Sequence, residues 1–526
     1  MDNSNALSFD FIIVGAGSAG SVMANKLSEG GHYSVLLLEQ GKPDNSLLLT
    51  MPKGFGAVLA GNDYVSRYSV TRPDNEPNNE VWLRGKTLGG SSSVNGMLWV
   101  RPQPEGFSAL TKAGGEQWSW PQMTLYFDAL DGADGIMPIT LHDKQHQITD
   151  AFVESACVTG LERHHQIADM GKLGAGYLHF NIDQQGKRRS AASAFLKPAK
   201  QRSNLHIETG VQVDKVLFDK KRASSVLCRR KGKAITYSAK REVILCAGAL
   251  ESPQILQRSG VGPAALLNDL AISVVHENNC VGANLREHLL LGLSFEVKSW
   301  ADTENRQYSG LPLIKNVLRY LITRKGPMAE SPCHAAAFIR SNQQLDAPDI
   351  QLMLNPYSRD GDSFSDSPGV SIVGYPMYPK STGEVCISSP ELGAAPLIKP
   401  NYLSEPYDQQ ASVAATRYIR KLAAQLPLAS MLIKEMPATA AAQTDDEIIE
   451  LYRRNGMPGF HATGSCAMGG NSDSSVVDGD ARVHGVDSLR VVDCSIYPEM
   501  LSGVTNASIM AVAMRAADLI IEQNNQ

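Results

Sequence analysis

The pattern of apolar and polar positions is clearest at the start of the chain. Residues 9–14 are almost continuously apolar and rich in aromatic and β-branched side chains, which predicts a buried strand. A glycine-rich stretch follows, then a helical pattern over Ser21–Leu27 and a second predicted strand over Ser34–Leu38 that ends in Glu39. A strand, a glycine turn, a helix and another strand within about 30 residues are typical of a βαβ unit.

More strands and helices are predicted further along the chain. Short apolar runs predict strands over residues 205–208, 211–217 and 242–246, the last followed by a turn at 247–249. Ser252 and Pro253 together resemble a helix N-cap followed by proline at the first helical position. Residues 489–493 predict a strand near the end of the chain, and residues 509–521 predict a final amphipathic helix.

The composition is that of an ordinary globular protein. The chain has 526 residues, of which 43% are hydrophobic and 20% charged, and its formal net charge is −5. At roughly 100–200 residues per domain, this length predicts two to four domains. The near-neutral charge balance gives no basic surface for nucleic acid. No apolar run approaches the roughly 18 residues that predict a transmembrane segment.

The cysteines and the first residues indicate the compartment. Eight cysteines are scattered without a Cys-x-x-Cys pair, so we expect reduced thiols rather than a disulfide framework. Residues 1–8 are polar and lack the basic segment that opens a secretory signal. We therefore expect a cytoplasmic protein and leave peripheral association with a membrane open.

The first predicted turn contains the pattern Gly-x-Gly-x-x-Gly. Gly15 allows the tight turn, Gly17 lets the backbone approach a pyrophosphate, and Gly20 allows close packing of the helix on the strand. Glu39 follows about 20 residues later, at the end of the second strand, where a carboxylate can accept hydrogen bonds from a ribose diol. This arrangement predicts a dinucleotide site, but the motif alone does not separate NAD from FAD.

Longer stretches of the chain resemble the glucose-methanol-choline (GMC) family of flavoenzymes. The resemblance runs from residue 10 to about residue 520 in the order of the family's motifs. It rests on the following segments: Gly85–Gly96, Gly248–Gly262, Val281–His288, Phe460–Gly469 and Leu489–Pro498.

The resemblance implies an α/β (α+β overall) fold. A Rossmann-like FAD-binding domain would occupy residues 1–289, with minor insertions from the substrate domain at about 150–190. A second domain, built on a mixed sheet, would span residues 290–455 and bind the substrate. Residues 456–526 would return to the FAD-binding domain and carry the catalytic residues.

The resemblance also implies the cofactor and the residues that hold it. Some members of the family carry a histidine joined to the flavin at the position that is Val94 here, so we expect FAD bound non-covalently. The expected cofactor-binding residues are Gly15, Gly17, Ser18, Ala19, Gly20, Glu39, Gly85, Gly89, Gly90, Ser91, Asn95, Gly96, Met97, Leu98, Val213, Ala247, Gly248 and Asp493.

Two residues near the C-terminus match the catalytic pair of the family. His461 corresponds to the active-site histidine, the natural base for removing a proton from an alcohol while the flavin takes the hydride. Asn506 corresponds to the second position, where its amide can donate to the substrate oxygen. It is expected at the start of the last helix, whose N-terminus carries partial positive charge. His288 and His484 have no comparable support.

The sequence therefore predicts an FAD-dependent oxidoreductase that converts an alcohol, expected to be primary, to the aldehyde. The alternative is a lyase of the hydroxynitrile type, which would bind FAD without net redox chemistry. A nicotinamide-dependent reductase would need a second nucleotide motif, which the chain lacks. His461 and Cys466 have no further ligands at zinc spacing, so no metal is predicted. The expected partners are a small alcohol and an electron acceptor, either O2 or a quinone or other redox carrier.

Overall fold

The computed structural model describes residues 7–72, 80–141, 146–166, 169–361 and 363–525. The strands up to the end of the first large sheet are β1 (Ser8–Val14), β2 (Val35–Glu39), β3 (Val65–Ser69), β4 (Val81–Gly85), β5 (Leu98–Trp99), β6 (Arg163–His164), β7 (Gly174–Tyr177), β8 (His179–Phe180), β9 (Leu205–Thr209), β10 (Gln212–Asp219), β11 (Arg222–Arg230) and β12 (Lys233–Leu245). They continue as β13 (Val261–Gly262), β14 (His276–Glu277), β15 (Leu289–Val297), β16 (Ala335–Ile339), β17 (Ile350–Asn355), β18 (Arg359–Asp360), β19 (Ser363–Phe364), β20 (Gly369–Pro376), β21 (Glu384–Cys386), β22 (Leu397–Lys399), β23 (Leu432–Glu435), β24 (Met457–Pro458) and β25 (Leu489–Val491).

Helices occur throughout the chain between these strands. They are α1 (Ser18–Ser28), α2 (Leu47–Thr50), α3 (Phe55–Ala60), α4 (Pro104–Gly114), α5 (Trp120–Asp131), α6 (Gln147–Val158), α7 (Lys197–Ala199), α8 (Gly248–Arg258), α9 (Ala264–Asp269), α10 (Gly310–Thr323), α11 (Pro406–Ala423), α12 (Leu428–Met431), α13 (Pro437–Ala440), α14 (Asp445–Asn455) and α15 (Thr505–Asn524).

The first large sheet contains the predicted βαβ unit. Its order is β10-β11-β12-β1-β2-β9, and β25 also pairs with β12. Strand β1 is parallel to both β12 and β2, and all of its residues from Phe11 to Val14 are buried. Helix α15 packs on α1, and their apolar faces join the largest core cluster. Strands buried on both faces suit the continuous apolar runs of the sequence.

The second large sheet is mostly antiparallel. Its order is β23-β15-β20-β17-β16-β7-β6, with β24 also paired to β15. Strands β6 and β7 come from residues 163–177, while the other strands lie within residues 289–458. Helices α6 and α11 pack on this sheet and enclose the second core cluster. The predicted α/β fold with a second, mixed-sheet unit is confirmed, and the exact domain limits stay a prediction.

Some predicted element limits were wrong. Helix α8 begins at Gly248, so Pro253 lies inside it and Ser252 is not its N-cap. Proline cannot donate to the carbonyl of Ala249 one turn earlier, and the hydroxyl of Ser465 donates to that carbonyl at 2.5 Å instead. Helices α1 and α15 each begin three or four residues earlier than the apolar pattern indicated.

All eight cysteines are free thiols. Within the described ranges, the model contains no helix with both the length and the apolar character needed to cross a bilayer.

The contact between α1 and the first turn gives a test of this packing. A Cβ at Gly20 would lie 1.8 Å from the carbonyl oxygen of Gly15, and backbone cannot yield as a flexible side chain does. We expect Gly20→Ala to lower the melting temperature by several degrees, because overpacking of this kind costs about 1–3 kcal/mol. Gly56→Ala is the matched control, since its Cβ would meet no atom within 4 Å in the exposed helix α3. Equal melting temperatures for the two variants would contradict the proposed close contact.

Candidate active site

A cavity of about 440 Å³ extends from the first glycine turn to the N-terminus of α15, between the two large sheets. It brings together most of the predicted cofactor-binding residues and both predicted catalytic residues, His461 and Asn506. The predicted cofactor residues that line it are Gly15, Gly17, Ser18, Ala19, Glu39, Gly85, Gly90, Ser91, Asn95, Gly96, Met97, Leu98, Val213, Ala247, Gly248 and Asp493. Gly20 and Gly89 do not line the cavity. They pack against the turn Gly15–Gly17 on its far side.

The two glycine-rich segments pack directly on each other. The amide of Gly89 donates to the carbonyl of Ala16 at 2.7 Å, and a Cβ at Gly90 would lie 2.7 Å from the Cα of Gly17. A Cβ at Gly17 itself would meet no atom within 4 Å, so this residue faces open space in the cavity. Helix α1 has no side-chain cap, and its first amides are available to an anion such as a pyrophosphate.

Glu39 holds the loop around this turn. Its Oε2 accepts from the amide of Ala16 at 3.0 Å, and its Oε1 accepts from the amide of Gly41 at 2.8 Å. Burial raises the pKa of Glu39 to about 7, although both backbone hydrogen bonds favour the charged form. Each carboxylate oxygen retains a second lone pair, so Glu39 can support the turn and also accept from a ribose hydroxyl.

Asp493 plays a similar part on the opposite wall. Its Oδ2 accepts from the amide of Gly248 at 2.8 Å and from the hydroxyl of Ser252 at 2.6 Å. Its Oδ1 accepts from the amide of Ser495 at 2.8 Å. Burial raises the pKa of Asp493 above its ordinary value, while these hydrogen bonds oppose the rise. The carboxylate thus joins the start of α8 to the end of β25 beside the cavity.

The segment from Gly90 to Leu98 forms a third wall. Asn95 is oriented by two hydrogen bonds to its Oδ1, from the amide of Met97 at 3.0 Å and from Nη1 of Arg188 at 2.7 Å. Met97 has a φ of 64°, a left-handed conformation that a non-glycine residue rarely adopts. Val94, from the same segment, also lines the cavity.

His461 lies in a chain of hydrogen bonds that fixes its tautomer. Its Nδ1 is 2.9 Å from Nδ1 of His288, and Nε2 of His288 is 2.9 Å from the carbonyl oxygen of Met377. A carbonyl only accepts, so His288 carries its proton on Nε2 and presents the Nδ1 lone pair. His461 must then donate from Nδ1. Its Nε2 then carries no proton and presents a lone pair, as a general base requires.

Burial, together with nearby charges, keeps the imidazole of His461 neutral. Burial, with smaller contributions from His288 and Arg84, holds the pKa of His461 well below its ordinary value. Burial also lowers the pKa of His288 to about 4. Oε1 of Glu287 accepts from the backbone amides of both histidines, at 2.6 Å from His461 and 2.9 Å from His288. Both rings therefore stay neutral at pH 7, each with a single N–H proton.

Asn506 presents a hydrogen-bond donor at the same cavity. It is the second residue of α15, and its Oδ1 accepts from the hydroxyl of Ser18 at 2.8 Å. Its Nδ2 is buried and finds no hydrogen-bond partner among the described residues. Because the oxygen is held by Ser18, the amide nitrogen is the free end of the group. An unpaired buried donor at a cavity wall indicates that a ligand completes it.

Sequence reasoning missed His288 as a functional residue. It lies in the segment Val281–His288 that carries part of the family resemblance, so a signal was present. A single histidine is weak evidence by itself, and only the contact with His461 shows what it does. Arg84 was also missed; its Nη2 lies 3.5 Å from Oε2 of Glu287 and offsets that buried charge.

These residues fit a bound dinucleotide with a redox-active ring. The exposed turn at Gly17 and the start of α1 suit the phosphates, and Glu39 suits the ribose. His461 and Asn506 line the same cavity, so the lone pair of one and the unpaired amide of the other are both available to a ligand there. A fold of this kind with this site defines a flavin-dependent oxidoreductase.

Comparison with known proteins identifies the family. Two models described as GMC oxidoreductase match the chain, one over residues 9–290 and one over residues 379–513. The chain therefore belongs to the GMC oxidoreductase family, and it is an FAD-dependent alcohol oxidoreductase.

Curated relatives and solved structures match almost the whole chain. An oxygen-dependent choline dehydrogenase of Ectopseudomonas mendocina is 37% identical, covering 97% of this chain and 94% of the relative. An alcohol dehydrogenase [acceptor] of Pseudomonas putida is 33% identical, covering 98% and 96% respectively. The crystal structure of pyridoxine 4-oxidase from Mesorbium loti has a TM-score of 0.87 at 28% identity, covering 98% of this chain and 99% of that one.

The hydrogen bond between the two histidines gives a direct test. We expect His288→Leu to slow anaerobic reduction of the flavin by substrate by about tenfold or more, because nothing then holds the His461 proton on Nδ1. His288→Asn retains an acceptor oxygen near the position of Nδ1 and should restore the rate to within a few-fold of wild type. The measurement is stopped-flow absorbance at equal FAD content. Equal rates for the two variants would mean that His288 only fills space.

Proposed function

We propose that the enzyme oxidises a neutral primary alcohol to the aldehyde, with FAD bound non-covalently and with His461 as the base. The observation that carries this proposal is the pairing of a free lone pair on His461 with a free donor on Asn506 at one cavity. Alcohol oxidation needs both, since the oxygen must lose a proton while the carbon loses a hydride. Val94, whose side chain cannot form a bond to a flavin, supports the non-covalent state.

His461 removes the proton of the alcohol, and its hydrogen-bonded partners orient it for this step. FAD, when bound, supplies the acceptor for the hydride, which no protein side chain can provide. Nε2 of His461 takes the hydroxyl proton, and its Nδ1–H stays bonded to His288 throughout. Because His288 is tied to the carbonyl of Met377, the imidazole of His461 cannot rotate without breaking this bond. The base is therefore oriented before the substrate arrives.

Asn506 stabilises the charge that develops on the oxygen. Its Nδ2 donates to the alcohol as the proton leaves, and its Oδ1 is held by Ser18. The N-terminus of α15 adds a partial positive charge at the same place, because Asn506 lies in the first turn of a helix of 20 residues. A preorganised donor of this kind is worth about 10²–10³ in rate.

The lining of the cavity favours an uncharged substrate. Near His461 the wall includes Leu290, Met353 and Val504, which are apolar. The carboxylates in the described lining are Glu39, Glu251 and Asp493, and each already accepts a hydrogen bond from the protein. Arg84, by contrast, is a cation in the wall. The carboxylates of the lining hold the glycine turn, Tyr68 and the start of α8. We propose that they are not the partners of a substrate cation such as choline, and that the substrate is an uncharged aromatic or heteroaromatic primary alcohol.

The name of one structural neighbour supports a substrate that contains an aromatic or heteroaromatic ring. Pyridoxine 4-oxidase is named for a heteroaromatic primary alcohol.

The reduced cofactor must pass its electrons on, and we propose O2 or a quinone or other redox carrier as the acceptor.

Replacing the base tests the proposed mechanism. We expect His461→Ala to keep its FAD but to slow anaerobic flavin reduction by about 10² or more, because general-base catalysis contributes about 10²–10⁴. His206→Ala is the control, since this histidine is exposed and lies on the first sheet. In the wild type, neutral His461 is the active form and burial lowers its pKa, so the acid limb of kcat/KM should lie below pH 6.5. A rate within a few-fold of wild type would show that His461 is not the base.

A panel of alcohols tests the substrate class. We expect benzylic and pyridyl-methyl alcohols to bleach the yellow flavin band anaerobically at least tenfold faster than choline at equal concentration. Peroxide formation and reduction of an artificial dye, measured in parallel, identify the acceptor. Faster bleaching by choline would contradict the assignment of a neutral substrate. If none of the benzylic or pyridyl-methyl alcohols bleaches the band, the proposed substrate class is wrong.

A further inference from the structure

A second cluster of chemically active side chains lies outside the central cavity. Nε2 of His146 is 3.3 Å from Oε1 of Glu304 and 3.8 Å from Oε2 of Glu330. Nε2 of His334 is 3.8 Å from each of the same two carboxylate oxygens. These four ligand atoms all lie within 4.8 Å of one another. Two imidazole nitrogens and two carboxylate oxygens thus converge on one point.

The four residues come from separate parts of the fold. His146 is the N-cap residue of α6, and Glu304 follows β15 in an irregular segment. Glu330 and His334 lie four residues apart, just before β16. The Glu304 side chain is 2% exposed and that of His334 is 3% exposed, whereas those of His146 and Glu330 are 19% and 13% exposed. The cluster is therefore closed on one side and reachable from the other.

The groups behind the cluster point these atoms inward. Oε2 of Glu304 accepts from Nζ of Lys53 at 3.2 Å and from the hydroxyl of Tyr308. Its other oxygen, Oε1, accepts no well-aligned hydrogen bond from any residue in the described ranges and faces the cluster. His334 is hydrogen-bonded to the backbone of Ser331. Outer partners of this kind orient the ligands of metal sites.

The cluster and its neighbours carry a net negative charge, which a bound cation would offset. With neutral imidazoles, Glu304, Glu330 and Lys53 sum to one negative charge.

We propose that His146, Glu304, Glu330 and His334 form a binding site for one divalent metal ion of the zinc class. Zinc accepts imidazole nitrogen and carboxylate oxygen at about 2.0–2.2 Å, and a tetrahedron of that size has edges of about 3.3–3.6 Å. The four histidine–carboxylate separations, 3.3 to 3.8 Å, are close to this size. All six separations lie within 4.8 Å, so side-chain movement of about 1 Å or less closes the site.

The metal would act as a structural clamp rather than as a catalyst. Four protein ligands fill a tetrahedral site and leave no position for substrate. The next residue before His334 is Cys333, which lines the central cavity, so the metal would fix the cavity wall through that connection. The sequence predicted no metal because the four donors follow no zinc spacing. Only the fold brings them together.

Metal content of the purified holoenzyme tests this proposal. The chain is loaded with Zn²⁺, passed through a chelating column and analysed for bound zinc, and its affinity is measured by competition with a fluorescent zinc chelator. We expect about one tightly held zinc per chain in the wild type. His146→Asn and Glu330→Gln should each weaken the affinity by tenfold or more. These two are the partly exposed ligands, so their loss leaves the buried pair in place and the fold intact.

The controls separate this site from surface binding and from a plain ion network. His165→Asn is the matched control, because this histidine is exposed and lies outside the cluster. It should bind zinc as the wild type does. The absence of tight zinc in the wild type would overturn the proposal and leave a protonated His146 between the two carboxylates. Equal affinity in the wild type and both ligand variants would also overturn it. Flavin content and alcohol oxidation are not used as readouts, so failure here leaves the proposed reaction unaffected.

Discussion

The carbonyl oxygen of Met377 sets the chemistry of the whole site. A carbonyl can only accept a hydrogen bond, so it determines the tautomer of His288, and His288 in turn determines that of His461. The three residues come from the end of β20, the start of β15 and the C-terminal return of the chain. The tautomer of His461 with its proton on Nδ1 is therefore selected only when the second sheet and the segment that carries His461 pack together.

Buried carboxylates around the cavity accept hydrogen bonds from backbone amides and also line the space for a ligand. Glu39 and Asp493 each accept two or more hydrogen bonds from loops that end in the cavity. Charge inside a protein is costly unless it is hydrogen-bonded, and these amides offset that cost. Loops that carry glycine and small residues gain rigidity from such anchors. The cavity is thus shaped for its ligand before binding, which reduces the entropy lost when the ligand arrives.

The relation to the GMC oxidoreductase family defines the reaction class but not the substrate. Relatives at 33–37% identity share nearly the full length of the chain, and their names include a choline dehydrogenase and an alcohol dehydrogenase. His461 and Asn506, the proposed base and donor, line the same cavity. Leu290 and Met353 of the second sheet and Arg84 line the same cavity, and we propose that they govern substrate choice. Those residues belong to no recognisable motif.

The sequence alone determined the βαβ unit, its dinucleotide motif and the family, and it predicted His461 and Asn506, which the structure places at one cavity. Each of these depends on local pattern: apolar runs, glycines at fixed offsets, or short segments in a known order. The structure decided what depends on residues far apart in the chain, because side-chain contact is not encoded in spacing. His288 became meaningful only beside His461, Ser252 proved to be a partner of Asp493 rather than a helix cap, and Glu304 met His334 only after the chain had folded.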